Sequence, residues 1–131
     1  KGLVSLREEL EFMLSFQYVM EVRFANKLTF SVRVEEERKD LLMLPVLSLL
    51  PLVDNVVVHN RIDSEHKMEI SIVLNEQDEL VVSNPVYPKL SAPDTNGTGL
   101  ANLESRFTLL MNKQIRIELT EETFRVCLPL K

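Results

Sequence analysis

Apolar residues recur every three or four positions from Val4 to Phe24. Leu6, Leu10, Met13, Gln17, Met20 and Phe24 form the stripe, and Leu14, Phe16 and Val19 widen it. This spacing predicts an amphipathic helix. Ser5 and Glu8 provide a Ser-x-x-Glu capping box at its start. Gln17 is the one polar member of the stripe and reads as a tolerated boundary residue. From Leu28 to Val34 the period drops to two: Leu28, Phe30, Val32 and Val34 face one way, Thr29, Ser31 and Arg33 the other. That alternation predicts a half-buried strand. Glu35 to Asp40 is a charged loop, and Leu41 to Leu44 lead into Pro45–Asn60, the most apolar run of the chain, which predicts a buried helix. Met68–Leu74 and Glu79–Asn84 alternate again, and the turn Asn75–Asp78 joins them as a hairpin. Pro85 to Asn96 has three prolines and no periodicity and predicts a loop. A helix over Leu100–Met111 follows, then strands over Gln114–Leu119 and Thr123–Leu130 joined at Thr120-Glu121-Glu122.

The outward positions of these strands carry Arg33, Glu69, Arg116, Glu118 and Arg125. A sheet covered on both faces would show nearly continuous apolar strands. One polar face therefore places all three helices on the other. The expected fold is α/β: a two-layer sandwich with a mixed, mostly antiparallel sheet of about five strands and three helices on one face.

Composition changes this picture little. At 131 residues the chain suits a single domain, 1–131, with one core. Its net charge of −5 argues against nucleic-acid binding driven by phosphate attraction. Cys127 is the only cysteine, so neither an intrachain disulfide nor a cysteine pair for zinc exists, and a reducing compartment is expected. Cys127 falls on the polar side of its strand and reads as an inert thiol. Asp54 and two prolines interrupt the best candidate for a membrane span. No signal-peptide pattern is read, and the start at Lys-Gly suggests a fragment of something longer.

Candidate chemistry lies in two places. On a helical wheel Val46, Leu49, Leu50, Val53 and Val57 group on one side of the apolar run; Ser48, Pro51, Leu52, Asn55 and His59 group on the other, with Asp54 at the edge. Pro51 removes the bond to the carbonyl of Leu47 and predicts a kink one turn before Asp54. The spacing leaves two readings open. One is a buried helix whose polar residues reach a solvated rim. The other is a cation–phosphate site, in which the Asn55 amide oxygen holds Mg²⁺, Asp54 orients water and His59 meets phosphate. Gly97-Thr98-Gly99 is the second place. Free N–H groups at a helix start attract phosphate, while a simple entry turn uses the same residues. It is neither a Walker loop nor a dinucleotide fingerprint. No serine sits in a nucleophile elbow, and His59 and His66 have no clear ligand set for zinc.

Taken together, the two stretches resemble one family. Pro45-Val-Leu-Ser-Leu-Leu-Pro-Leu-Val-Asp-Asn-Val-Val-Val-His59 resembles the N box of LytS-like sensor histidine kinases: proline, apolar residues, Pro-Leu-Val-Glu-Asn, three residues, His. Gly97-Thr-Gly-Leu-Ala-Asn-Leu-Glu-Ser-Arg106 resembles their second glycine box, Gly-x-Gly-Leu-x-Asn-x-x-x-Arg. Val4–Leu10 and Tyr18–Phe24 resemble the helix leading into that domain, so the resemblance covers nearly the whole chain in order. It implies a GHKL (Bergerat) fold binding Mg-ATP between the N-box helix and a lid, here 85–99. It implies that Asn55 holds Mg²⁺, that Asp54 orients water or the metal shell, and that His59 approaches the phosphates. Gly97, Thr98, Gly99 and Leu100 would close over the phosphates, with Asn102 and Arg106 supporting their helix.

Two departures accompany the resemblance. The first glycine box of the family begins with an Asp that reads the adenine amino group; Asn84 stands there, followed by no glycines. Asn keeps a carbonyl acceptor but no charge. Asn60 also stands where the family often has a small residue. The family's phosphoacceptor His lies on an upstream dimerisation helix, and neither His59 nor His66 matches it. The resemblance thus implies the ATP-binding catalytic domain of a protein-histidine kinase. Its partners would be that phosphoacceptor domain and a response regulator, within a homodimeric bacterial sensor anchored to the membrane with this domain in the cytoplasm. A degenerate nucleotide-free interaction module and a dimerising ATPase of the same fold are the alternatives.

Overall fold

The structure is a computed structural model that describes residues 2–89 and 98–131. Helix α1 runs over Leu6–Arg23. Its capping box forms as the sequence predicts: the Glu8 N–H donates to Ser5 Oγ at 3.1 Å, and the Ser5 N–H to Glu8 Oε1 at 3.4 Å. The helix begins later than its periodicity suggests, because Leu3–Ser5 is strand β1. It pairs antiparallel with β3, Met43–Pro45. Three residues are too few to show a period of two, which is why this small sheet is silent in the sequence. Strand β3 is also tied on its other side, where Met43 and Lys131 exchange backbone bonds at 2.9 and 3.0 Å.

Five further strands make the main sheet: β2 (Leu28–Arg33), β4 (Met68–Leu74), β5 (Glu79–Pro85), β6 (Arg116–Leu119) and β7 (Thr123–Pro129). Their order is β2-β4-β5-β7-β6. Only β2 and β4 run parallel; the other neighbours are antiparallel. Met68, Ile70, Ile72, Leu80, Val82, Val126 and Leu128 are buried on one face. Against them pack Leu6, Leu10 and Met13 of α1, Leu49, Leu52, Val53 and Val56 of α2 (Leu49–His59), and Leu103 and Phe107 of α3 (Thr98–Met111).

The opposite face carries ion pairs, Arg116 with Glu79 at 2.5 Å and Arg125 with Glu118 at 3.1 Å. The one-sided sandwich expected from the strand pattern is the fold observed. Cys127 lies on this face, covered by Arg116, whose Nη2 is 3.4 Å from Sγ. Burial pushes the thiol pKa up, so the nucleophilic thiolate is scarce near neutrality. The charged loop at 35–40 is latched rather than loose. Arg7 bonds Asp40 at 2.8 Å and Glu36 at 2.7 Å, and these bonds hold both carboxyls below the usual range.

Candidate functional site

The start of α2 is fixed by a residue the sequence pattern hides. Glu9, 2% exposed, accepts the backbone N–H groups of Leu47 and Leu49, one on each carboxylate oxygen, both at 3.0 Å. A carboxylate there satisfies two donors that the helix cannot and meets the positive end of the helix dipole. Leu47 takes a left-handed backbone, φ +61, and Ser48 Oγ donates to the Pro45 carbonyl at 2.6 Å. The helix therefore begins at Leu49 and not at Pro45, correcting the longer helix the apolar run predicts. Pro51 falls in its first turn, where its missing N–H has no helical carbonyl to meet. The cause of the predicted kink disappears with it.

The faces of α2 also need correction. Its buried stripe is Leu49, Leu52, Val53 and Val56, continued by Asn60. Leu52 belongs to the core and not with Asn55 and His59, while Leu50 turns away from it with Pro51, Asp54, Asn55, Val58 and His59 to line a cavity.

That cavity, about 640 Å³, lies between α2 and α3, whose Gly99, Leu100, Asn102, Leu103 and Arg106 form its other wall. A second, about 440 Å³, is lined mainly by Val56, Asn84, Val86, Pro88, Leu119 and Phe124, with Lys89 as its one lysine among the described residues. Asn55, His59 and Leu100 line both. The half-buried Asn55 and the exposed His59 thus stand where an apolar chamber opens into a larger and more polar one.

Asn84 is placed by strand alternation. Leu80, Val82 and Asn84 point to the helix-covered side of β5, and Asn84 is the polar member at the strand end, 5% exposed. Its Nδ2 donates to the Pro85 carbonyl at 2.8 Å, leaving Oδ1 as the acceptor. Asn60 closes the chamber from α2. Its Oδ1 accepts the Tyr87 N–H at 2.7 Å, its Nδ2 donates to the Val56 carbonyl at 3.0 Å, and the Arg61 N–H donates to the Tyr87 carbonyl at 2.7 Å. Sequence reasoning noted Asn60 as unusual without seeing this clasp. The usable signal was an amide continuing an otherwise apolar stripe, four residues after Val56.

Gly99 lies in the first turn of α3, yet a Cβ added to it would meet nothing within 4 Å among the described residues, and its φ is not in the left-handed region. Neither contact with the described residues nor backbone conformation calls for glycine there. Thr98 starts α3. Gly97 and most of the predicted lid, residues 90–97, lie outside the described residues; within 85–89 the chain ends β5 and follows the Asn60 clasp.

Asn55 supplies a hard oxygen, and Asp54 an exposed carboxylate beside it. Among the described residues no group of three or more His, Cys, Asp or Glu side chains could enclose a metal. Such a sparse donor set suits a cation that takes few protein ligands and the rest from its substrate and water, as Mg²⁺ does.

The sheet order, the helices on one face and the cavity between α2 and α3 define a class of fold, that of histidine kinase catalytic domains. The chain superposes on the nucleotide-free catalytic domain of histidine kinase ThkA with a TM-score of 0.66, covering 97% of this chain and 94% of that one at 16% identity. It also matches a blue-light activated histidine kinase of Erythrobacter litoralis, EL346, with a TM-score of 0.51 at 9% identity, covering 96% of this chain and 45% of that one. No family model and no curated protein matches the chain. Among the described residues no helix is long and apolar enough to cross a membrane.

Proposed function

We propose that the chain is a single catalytic domain that binds ATP with Mg²⁺ and presents the γ-phosphoryl group to a histidine on an upstream dimerisation domain, as in LytS-like sensor kinases. The carrying observation is the pair of joined cavities with Asn55 at their junction. Adenine fits the apolar chamber, where Asn84 Oδ1 accepts from the exocyclic amino group. Guanine offers an acceptor at that position, so ATP is preferred over GTP. The triphosphate then leads past Asn55 and His59 to the backbone N–H groups at the start of α3, beside Gly99 and Leu100, with Gly97 and Thr98 assigned to it by the sequence motif alone. Asn55 would hold Mg²⁺, which supplies neutralisation of phosphate charge when bound. Asp54 orients water beside it. Catalysis is then mainly positioning and charge stabilisation. The intact protein is a homodimeric, membrane-anchored sensor with this domain in the cytoplasm, and it passes its phosphoryl group to a response regulator.

Titration of the chain with a nonhydrolysable Mg-ATP analogue tests this reading. Saturable binding is expected, weakened at least about tenfold by Asn55→Ala. No binding at millimolar analogue, with the variant behaving identically, contradicts it. Pro85-Val86-Tyr87-Pro88, standing where the family has glycines, favours a second reading, a nucleotide-free interaction module. That module would unfold at the same temperature with and without Mg-ATP, whereas a binding domain unfolds at a higher one.

A further inference from the structure

We infer that Arg106 binds the terminal phosphate of the nucleotide, making this site selective for triphosphate over diphosphate. The inference rests on the nucleotide-binding reading above and goes beyond the structural, helix-supporting role that the sequence motif suggests for Arg106.

The two cavities have a direction. The apolar chamber meets the larger one at Asn55, His59 and Leu100. Beyond that junction the larger cavity follows α2 back to Pro51, Leu50 and Leu47, and α3 forward to Asn102, Leu103 and Arg106. Arg106 does not line the apolar chamber. A ligand with its base in that chamber and its phosphates past Asn55 therefore has its terminal group toward the Arg106 end.

Arg106 is aimed at this space. Gly99, Asn102, Leu103 and Arg106 follow the i, i+3, i+4, i+7 spacing of one helical face. Their backbone positions from Gly99 to Arg106 span about 10 Å along the helix. Helical side chains lean toward the helix N-terminus, so Arg106 extends over the cavity-lining turn before it, with its guanidinium beside the Leu47 carbonyl.

The guanidinium also has capacity to spare. Arg7, Arg38, Arg116 and Arg125 each hold a carboxylate. Among the described residues Arg106 holds none; its Nη1 reaches only the Leu47 carbonyl, at a long 3.5 Å. The acceptor is well defined, because Leu47 is fixed in its left-handed conformation by the Glu9 bond. Arg106 thus rests on a weak partner at the Leu47 end of the cavity. A phosphate offers it two strong, parallel bonds. Among the described residues the only acidic side chain lining this cavity is Asp54, which repels a polyanion, and Arg106 is the only arginine or lysine lining it to offset that charge.

Calorimetric titration of the full chain with Mg-ADP and with a nonhydrolysable Mg-ATP analogue tests the assignment. The unmodified chain is expected to prefer the triphosphate. Arg106→Gln, which keeps the packing stem, should weaken the triphosphate at least about tenfold and the diphosphate less than about twofold, as for loss of hydrogen bonds to a charged group. Arg106→Lys should recover part of the preference, because it keeps the charge without the fork. If both nucleotides bind and their ratio is unchanged in Arg106→Gln, the assignment fails and the nucleotide reading stands. If both weaken equally, Arg106 acts only through the fold, and the assignment also fails. If the unmodified chain binds neither nucleotide, the nucleotide reading itself is overturned.

Discussion

The two ends of polar burial around α2 are built to opposite rules. At its start, the buried Glu9 carboxylate is matched by two backbone N–H groups at 3.0 Å. Along the cavity, Asn55, Asn84 and Arg106 keep donors or acceptors that the described residues use only in part. Fully satisfied polar groups fix structure, while groups with spare capacity are where a ligand gains most. Burial alone does not separate the two, since Glu9 and Asn84 are both nearly inaccessible. What separates them is where their hydrogen bonds go.

The sharpest way to break this contrast is at Glu9. Glu9→Ala leaves two N–H groups without an acceptor at a buried helix start and should cost about 2–4 kcal/mol in denaturant unfolding. Unfolding unchanged within about 0.5 kcal/mol would remove Glu9 from the account. Asn55→Ala should do the reverse: unfolding within about 1 kcal/mol of the parent, because the amide is half-buried and faces the cavity, with nucleotide affinity down tenfold or more.

Gly99→Ala joins both sides of the contrast in one position. A methyl group there meets nothing within 4 Å among the described residues. The substitution should raise stability by a few tenths to about 1 kcal/mol through helix propensity, while weakening Mg-ATP several-fold. Stabilisation with unaltered binding would show that the space beside Gly99 is not ligand space.

The smallest effect expected is at the Arg7 latch, far from the cavity. Asp40 and Glu36 have pKa values lowered by their bonds to Arg7. Lowered carboxyl values contribute stability that is present above the unfolded range, near pH 4, and lost as pH falls through the folded values. Arg7→Ala should therefore make stability fall less steeply below about pH 4, with a small loss at neutral pH because the pairs are exposed. An identical acid limb in parent and variant would show that these pairs do not contribute.

Much of the fold was legible because it repeats. The alternation in Met68–Leu74 and Glu79–Asn84, the capping box at Ser5 and Glu8, and the polar outer face with Arg116 and Glu118 each follow from a period or a fixed offset. What escaped depends on partners distant in sequence. Strands β1 and β3 are 38 or more residues apart and only three residues each. The start of α2 is set by Glu9 from another helix, so the apolar run Pro45–Ser48 looked helical when it is not. Counting the non-helical Val46 in the apolar face centres that face too near Leu50 and away from Leu52, although the wheel positions of both are fixed. The candidate residues named from the sequence lie together in the fold. Asp54, Asn55 and His59 share the cavity with Gly99, Leu100, Asn102 and Arg106 across 40 or more residues of sequence, and Asn84 lines the adjoining chamber. The Asn60 clasp and the apolar walls at Val86, Leu119 and Phe124 carry no motif, and only folding brings them together.

The most direct check is an amide NMR titration of the chain with a nonhydrolysable Mg-ATP analogue. The expected result is a saturable shift concentrated at Asn55, His59, Asn84, Gly99 and Leu100, with the Arg106 side chain shifting for triphosphate and not for diphosphate. Shifts absent from these residues at millimolar analogue, or confined to the open face around Arg116 and Arg125, would contradict the nucleotide site.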